Sequence, residues 1–427
     1  MSDLTLSAPS GAFHADVTVP GDKSLSHRAL IVAAMARGRS RVTGLGPGAD
    51  VAATARAIAA LGVDVDGDEV VSPGVASWSR PAEVLDIGNS GTSIRLLAGA
   101  LSGRPFRSTL TGDASIQRRP MRRLVEPLGA LGAVVEVSDD GTAPITVEAG
   151  PDGLVGAEVA ISIASAQIRT AIALAALQAM GATTISSPPG YRDHTERWFR
   201  HLGLGAETDD GRFEVRPGPV PTVEIEVPGD PSSAAYLWAA AALRSESTVT
   251  TRRVSLNPGR IGFLEVLAAM GATVEIEPTG DVVGDPVGDV RVVGDELRGA
   301  AVGGDLAVRS LDELPLLAIV AAAAEGRTVV RDAEELRVKE SDRIATTVAM
   351  VRALGGTAEA TDDGFVIEGG GRLDGGSVDA ATDHRLAMSA AVAATVSAGS
   401  VTVRGFDAAA VSWPGMERTL ESVWSSR

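Results

Sequence analysis

The chain has 427 residues, more than one ordinary hydrophobic core supports, so two domains are expected. Its 38 Lys and Arg against 55 Asp and Glu leave a formal charge of −17. Such a surface repels nucleic acid and anionic membrane, and any basic cluster must be local and pocket-like. With no cysteine, a disulfide, a thiolate metal site and a cysteine nucleophile are excluded, which suits the cytoplasm. MSDLTLSAPSGAF lacks the basic and apolar regions of a signal peptide, and no apolar run is long enough to span a bilayer. Aromatic residues are only 3 %, while Ala, Val, Leu and Gly abound, which suits helices packed closely on sheets.

In chain order, one unit is written six times. Ala-rich helical runs begin at Ala29, Leu96, Ala171, Leu237, Leu317 and Met388, and each leads into a short β-prone strand. After five of those strands a more polar helix ends in Leu-Gly or Met-Gly, at Gly62, Gly132, Gly203, Gly271 and Gly355. The intervals are 70, 71, 68 and 84 residues. GDVVGDPVGDVRVVGDE (Gly280 to Glu296) reads as a loop and strand insertion that accounts for the long one. The alternation of helix and strand predicts an α/β class, α+β in some schemes. The sixth unit stops short of its closing glycine, and residues 3 to 19 hold a spare pair of strand-like segments. The N-terminal strand is therefore expected to complete the last unit. Three units per domain place an N-terminal domain at 20–229 and a C-terminal domain at 1–19 plus 230–427. The chain then crosses near Pro20–Gly21 and again near Pro228–Asp230, both turn-forming.

The informative residues stand before the Ala-rich helices. They are GDKSLSHR (Gly21 to Arg28), GNSGTSIR (Gly88 to Arg95), SIASAQIR (Ser162 to Arg169), PGDPSSAAY (Pro228 to Tyr236), RSLDELP (Arg309 to Pro315) and ATDHR (Ala381 to Arg385). Lys23 and Arg28 are the wrong charge for a helix start, where the dipole favours anions, unless an anion binds between them. Six helix starts facing one cleft would focus roughly +3 of dipole charge there. Arg119 in QRRP, Lys339 and Arg343 in RVKESDR, and Arg385 add cations at equivalent corners, as a polyanionic small molecule requires. Asp312 and Glu340 lie at such corners beside cations. Either carboxylate could lock a cation or move protons. Asn89 and Thr92, with Gly91, form a loop that an anion can approach closely, and Ser165 and Gln167 offer neutral donors.

Other motifs fail. GDKS resembles the tail of a P-loop, but Asp22 separates Gly21 from Lys23. GLGPG is not a dinucleotide fingerprint, and the five histidines show no metal-ligand spacing. His384 could titrate, cap or simply pack. No metal or organic cofactor is implied.

Ten motifs in order resemble the 5-enolpyruvylshikimate-3-phosphate synthase family: PGDKSLSHRAL, GNSGTSIR, QRRPM, SAQIRTA, YRDHTER, GDPSSAAY, LDELP, ELRVKESDR, TDHRLAM and SWPG. The resemblance implies a two-domain inverse α/β barrel of six βαβαββ repeats, three per domain. It implies transfer of the enolpyruvyl group of phosphoenolpyruvate to the 5-hydroxyl of shikimate-3-phosphate, with release of phosphate. Shikimate-3-phosphate would be held by Lys23, Ser24, Arg28, Ser165, Ala166, Gln167, Arg192, Asp312 and Lys339. Phosphoenolpyruvate would be held by Lys23, Asn89, Gly91, Thr92, Arg119, Gln167, Arg343, His384 and Arg385. Asp312, Glu340 and Lys23 would be catalytic, glyphosate would inhibit, and the enzyme would be a cytoplasmic monomer. The two substrates bring roughly −5 to −6 of charge near neutral pH, which the six cations match.

Three positions depart from the pattern of many relatives. Ala166 replaces a common Ser, Glu335 stands where some have Asn, and Val411 stands where a Lys often helps bind phosphoenolpyruvate. A sister enzyme that transfers enolpyruvyl to a UDP-amino sugar usually has a loop cysteine and a Lys-Asn motif; the absent cysteine and intact KSLSHR argue against it. A nucleic-acid end-processing protein of related repeats would need an exposed basic face, which −17 disfavours. Retained Lys23, Asp312, Glu340 and Arg385 speak against an inactive binding protein.

Overall fold

The structure, a computed structural model, describes residues 2–370 and 372–426; Met1, Gly371 and Arg427, and with them the outer ends of the expected C-terminal domain, lie outside it. Six small sheets share one plan. Each has a parallel pair of strands, and the second of these pairs antiparallel with a third. In five sheets a fourth strand closes the edge. The second repeat shows the order plainly: Leu85–Asp86, Ser108–Thr111, Ile145–Ala149, then Ala133–Val137.

Three repeats take a strand from outside their own stretch of chain. Glu224–Glu226 lies parallel to Arg37–Thr43 and supplies the opening strand of the first repeat. His14–Val17 does the same for the fourth, beside Thr248–Ser255. Leu4–Leu6 pairs antiparallel with Val401–Arg404, so the N-terminal strand does complete the sixth sheet.

The chain divides into two compact units. One comprises Gly21–Val227 and Asp281–Asp285, here the N-terminal unit; the other comprises Met1–Pro20, Pro228–Gly280 and Pro286–Arg427, here the C-terminal unit. The sequence suggested two crossings of the chain, but this division has four. The stretch from Gly280 to Glu296 holds a turn and a strand, as its sequence suggests. It belongs to a long hairpin of Thr273–Val282 and Asp285–Val293, whose turn leaves its own strands and joins the N-terminal unit. There Val282 and Val283 pack on the core. Asp285 is fully buried, 2.9 Å from His194 Nδ1, and accepts from Trp198 Nε1 at 3.0 Å.

Each unit has its own core, built around three Ala-rich helices. These are Lys23–Met35, Gly91–Leu101 and Ala166–Ala176 in the N-terminal unit, and Pro231–Ala242, Leu314–Ala323 and His384–Ala393 in the C-terminal unit. A helix buried on every side needs small residues so that its neighbours can approach. All twelve residues of Pro231–Ala242 are buried, and a Cβ at Gly99 would lie 2.1 Å from Ala171 O on the adjacent helix. The outer helices end as the repeat pattern requires. Gly62, Gly132, Gly203, Gly271 and Gly355 all have φ between 71° and 116°, the left-handed turn that lets the chain reverse from helix into strand.

Candidate active site

Five of the six inner helices start on an acceptor side chain. Asp22, Ser90, Ser165, Asp230 and Asp383 accept from the backbone N–H of Leu25, Ser93, Ile168, Ser232 and Arg385. The first helix therefore begins at Lys23 rather than at Ala29, where the apolar run begins. Lys23 and Ser24 occupy its first turn, and Arg28 follows one turn later.

In the N-terminal unit, hydrogen bonds join the three helix starts. Arg28 donates from Nε to Thr195 Oγ1 at 2.9 Å and from Nη2 to Thr170 Oγ1 at 2.9 Å, and the two threonine hydroxyls lie 2.6 Å apart. Lys23 Nζ lies 3.1 Å from Asp50 Oδ2. Gln167 donates to Thr92 Oγ1 at 3.0 Å and accepts from Arg95 at 2.6 Å. Arg119 donates to Asn89 Oδ1 at 2.9 Å and reaches over Gly91, where a Cβ would lie 2.6 Å from its guanidinium. Ser165 caps and Ala166 opens the third helix. Arg192 stands half-buried on the segment three residues before Thr195.

In the C-terminal unit the cluster is ionic. Arg343 is almost wholly buried and meets three carboxylates. Its Nε donates to Asp383 at 2.8 Å, and its terminal nitrogens to Glu340 at 2.6 Å and Asp312 at 3.3 Å. Arg385 lies 3.9 Å from Asp312. The chain enters this helix through Ala381 and Thr382 at φ 49° and 57°, a strained turn that presents Asp383, His384 and Arg385 at the helix start. His384 is buried with Nδ1 4.0 Å from Asp383. Lys339 closes the 3-10 turn Glu334–Val338.

Burial raises the Asp383 carboxyl, but the charge and hydrogen bond of Arg343, together with His384, hold the group below the usual carboxylate range. Burial works against Arg343 in turn, and Asp383 and Glu340 overcome it, so this guanidinium stays charged. Lys339 is pushed down by burial, against the pull of Asp312 and Glu335. A lowered lysine releases its proton more readily than a solvated one. Among the described residues, no group of three or more His, Asp or Glu stands where it could hold a metal ion.

The family model for EPSP synthase (3-phosphoshikimate 1-carboxyvinyltransferase) matches residues 8–420. The chain belongs to the EPSP synthase family. A 3-phosphoshikimate 1-carboxyvinyltransferase of Chloroflexus aurantiacus is 45 % identical, over 99 % of each chain. One of Geobacter sulfurreducens is 44 % identical, over 98 % of each. The EPSP synthase of Acinetobacter baumannii superposes with a TM-score of 0.87 at 37 % identity, covering 99 % of this chain and 98 % of that one. The chain thus has the two-domain inverse α/β barrel of the EPSP synthases. The enolpyruvyl transferase NikO of Streptomyces tendae shares the fold alone, at 18 % identity and a TM-score of 0.78.

Several residues of these networks were not singled out in the sequence. Arg95, Thr195 and Asp383 stand inside quoted motifs, but what each one holds (Gln167, Arg28 and Arg343) becomes visible only when repeats pack together. Asp50 carried no signal beyond its place near a helix start. Of the three departures, Ala166 opens a helix, Glu335 lies exposed in a 3-10 turn and Val411 ends another.

Proposed function

We propose that this chain transfers the enolpyruvyl group of phosphoenolpyruvate to the 5-hydroxyl of shikimate-3-phosphate and releases phosphate, a step of aromatic amino acid biosynthesis. The observation that carries the reading is the buried Arg343 shared by Asp312 and Glu340, with Arg385 beside Asp312. Two carboxylates that can move protons stand among the cations that an anionic substrate needs.

Shikimate-3-phosphate is assigned to Lys23, Ser24, Arg28, Ser165, Ala166, Gln167, Arg192, Asp312 and Lys339. Phosphoenolpyruvate is assigned to Lys23, Asn89, Gly91, Thr92, Arg119, Gln167, Arg343, His384 and Arg385. Asp312 takes the proton of the 5-hydroxyl as that oxygen bonds to C2 of phosphoenolpyruvate, and Glu340 delivers a proton to the methylene carbon. The tetrahedral adduct then loses a methyl proton to Glu340 and expels phosphate, whose negative charge Lys23 offsets. The enolpyruvyl ether remains. The domains at 20–229 and at 1–19 plus 230–427 are proposed as the two functional halves, the turn Asp281–Asp285 excepted.

The enzyme is proposed to act in the cytoplasm as a monomer, on small molecules, with no call on nucleic acid, membrane, metal or organic cofactor. No helix among the described residues is long and apolar enough to cross a membrane. Glyphosate is its proposed inhibitor. Phosphate release is the test, with phosphoenolpyruvate and either shikimate-3-phosphate or a UDP-amino sugar. Turnover should require shikimate-3-phosphate; turnover with the UDP-sugar alone would overturn the assignment. Light scattering on the eluted protein checks the monomer.

A further inference from the structure

We propose that Glu313 is a positioning residue for Arg385 and acts through it on phosphoenolpyruvate. Asp312 and Glu313 are neighbours on the 3-10 turn Leu311–Glu313 but face different surroundings. The Asp312 side chain keeps 16 % of its surface, whereas that of Glu313 keeps 2 %. Arg385 reaches both, with one terminal nitrogen 3.5 Å from Glu313 Oε1 and the other 3.9 Å from Asp312 Oδ2.

Glu313 is fixed from behind. Ser232 donates to Glu313 Oε1 at 2.5 Å, and Arg260 donates both to Ser232 Oγ at 3.0 Å and to Asp230 at 2.9 Å. One helical turn beyond Ser232, the buried hydroxyl of Tyr236 hydrogen-bonds to Arg385. Burial pushes this phenol up to about 12, so it stays neutral and offers its oxygen to the guanidinium. Arg385 is thus oriented by a fixed carboxylate and a fixed hydroxyl.

A buried carboxylate is costly unless a cation compensates it, so a side chain of this kind is poor scaffolding. Its placement has a chemical use. A guanidinium without Glu313 would move toward the other carboxylate it reaches, Asp312, now 3.9 Å away. Arg385 would then leave its place, and Asp312, which already accepts from Arg343 at 3.3 Å, would be weakened further as a base. Glu313 holds Arg385 back from that pairing.

This rests on the assignment of Arg385 to phosphoenolpyruvate. The test is steady-state kinetics of wild type, Glu313→Gln and Tyr236→Phe, varying each substrate in turn, with melting temperatures alongside. Glu313→Gln keeps the size and the Ser232 contact but removes the charge. Its KM for phosphoenolpyruvate should rise about tenfold while that for shikimate-3-phosphate stays put. Tyr236→Phe should give a several-fold rise with the same selectivity. Glu313→Asp should recover part of the loss. Equal rises in both KM values, or none, would overturn the proposal, as would a fall in kcat alone. Should Glu313→Gln not fold, Tyr236→Phe decides: an unchanged KM for phosphoenolpyruvate defeats the idea. A wild type that releases no phosphate from these substrates would instead defeat the proposed function, so the two failures are distinct.

Discussion

Lys23→Met should lower the stability of the N-terminal unit, because of Asp50. A cation in the first turn of a helix is opposed by the dipole by roughly 0.3–1 kcal/mol, so the helix start alone argues that losing Lys23 is neutral or favourable. Asp50 reverses the sign. The two side chains meet at 3.1 Å and are 19 % and 7 % exposed, between the limits of a surface pair and a buried one. Exposed pairs contribute roughly 0.2–1 kcal/mol, and breaking a buried pair costs roughly 3–5 kcal/mol. Asp50 lies in the first turn of Ala49–Ala59, whose own dipole supports the abandoned carboxylate and softens the loss. A net cost of about 1–2 kcal/mol follows, or roughly 2–8 °C in melting temperature for a unit of this size. Calorimetry of Lys23→Met, Asp50→Asn and the double variant measures it. With Asn at position 50, the Lys23 substitution should be neutral or stabilising, while turnover is lost in both backgrounds. A Lys23→Met protein that melts at or above the wild-type temperature, or an equal drop in both backgrounds, would refute the reasoning.

His27 is fully buried with Nδ1 2.7 Å from Thr54 Oγ1, and burial, then Lys23 and Arg28, hold it well below 6.5. The unfolded chain takes a proton near pH 6.5 and the folded one does not. The stability is therefore complete above that pH and declines below it by up to about 1.4 kcal/mol per unit; His27→Gln should melt with a flatter acid slope, and parallel slopes would contradict this. Gly91→Ala places a methyl 2.6 Å from the Arg119 guanidinium and 3.0 Å from that of Arg95. The inhibition constant of glyphosate should rise roughly thirtyfold, about 2 kcal/mol, and more than the KM for phosphoenolpyruvate; equal rises would remove Gly91 as a discriminator. Arg343→Gln strands the buried Asp383 with Glu340 and Asp312, and should cost the C-terminal unit roughly 3–5 kcal/mol. Asp383 then loses the cation that kept its carboxyl low, so the deficit should shrink toward pH 5; a deficit constant with pH would count against the pairing.

The repeat was legible because its punctuation is chemical. A helix that must reverse into a strand needs a left-handed residue, and the chain writes Gly at each such place, from Gly62 to Gly355. A helix that starts buried needs a short acceptor, and Asp22, Ser90, Ser165, Asp230 and Asp383 are visible as candidates. The start at Lys23 was harder, because the apolar run begins six residues later and the cap, not the run, sets the boundary. Pairings between repeats leave no local trace. Thr195 lies 167 positions from the Arg28 it holds, and Asp383 lies 40 from Arg343. The place of the turn Asp281–Asp285 in the N-terminal unit left no local trace for the same reason: Asp285 is buried against Trp198 and His194, 87 and 91 positions away.

The two clusters hold their cations by different means. In the N-terminal unit Arg28 donates to threonine hydroxyls, Arg119 to the Asn89 amide oxygen and Arg95 to the Gln167 amide oxygen. A neutral acceptor orients a guanidinium without cancelling its charge, so such cations keep their attraction for an anion. In the C-terminal unit Arg343 and Arg385 face Asp312, Glu313, Glu340 and Asp383. Here the positive charge is cancelled locally, and what remains is a set of carboxylates held in place by arginines. The proposed function thus separates net attraction, on the N-terminal arginines, from proton transfer, among the carboxylates that hold Arg343 and Arg385 for phosphoenolpyruvate. That separation has a physical reason: a carboxylate among uncompensated cations becomes too weak a base to take a proton from a hydroxyl, whereas one whose arginine is shared with other carboxylates keeps more of its basicity.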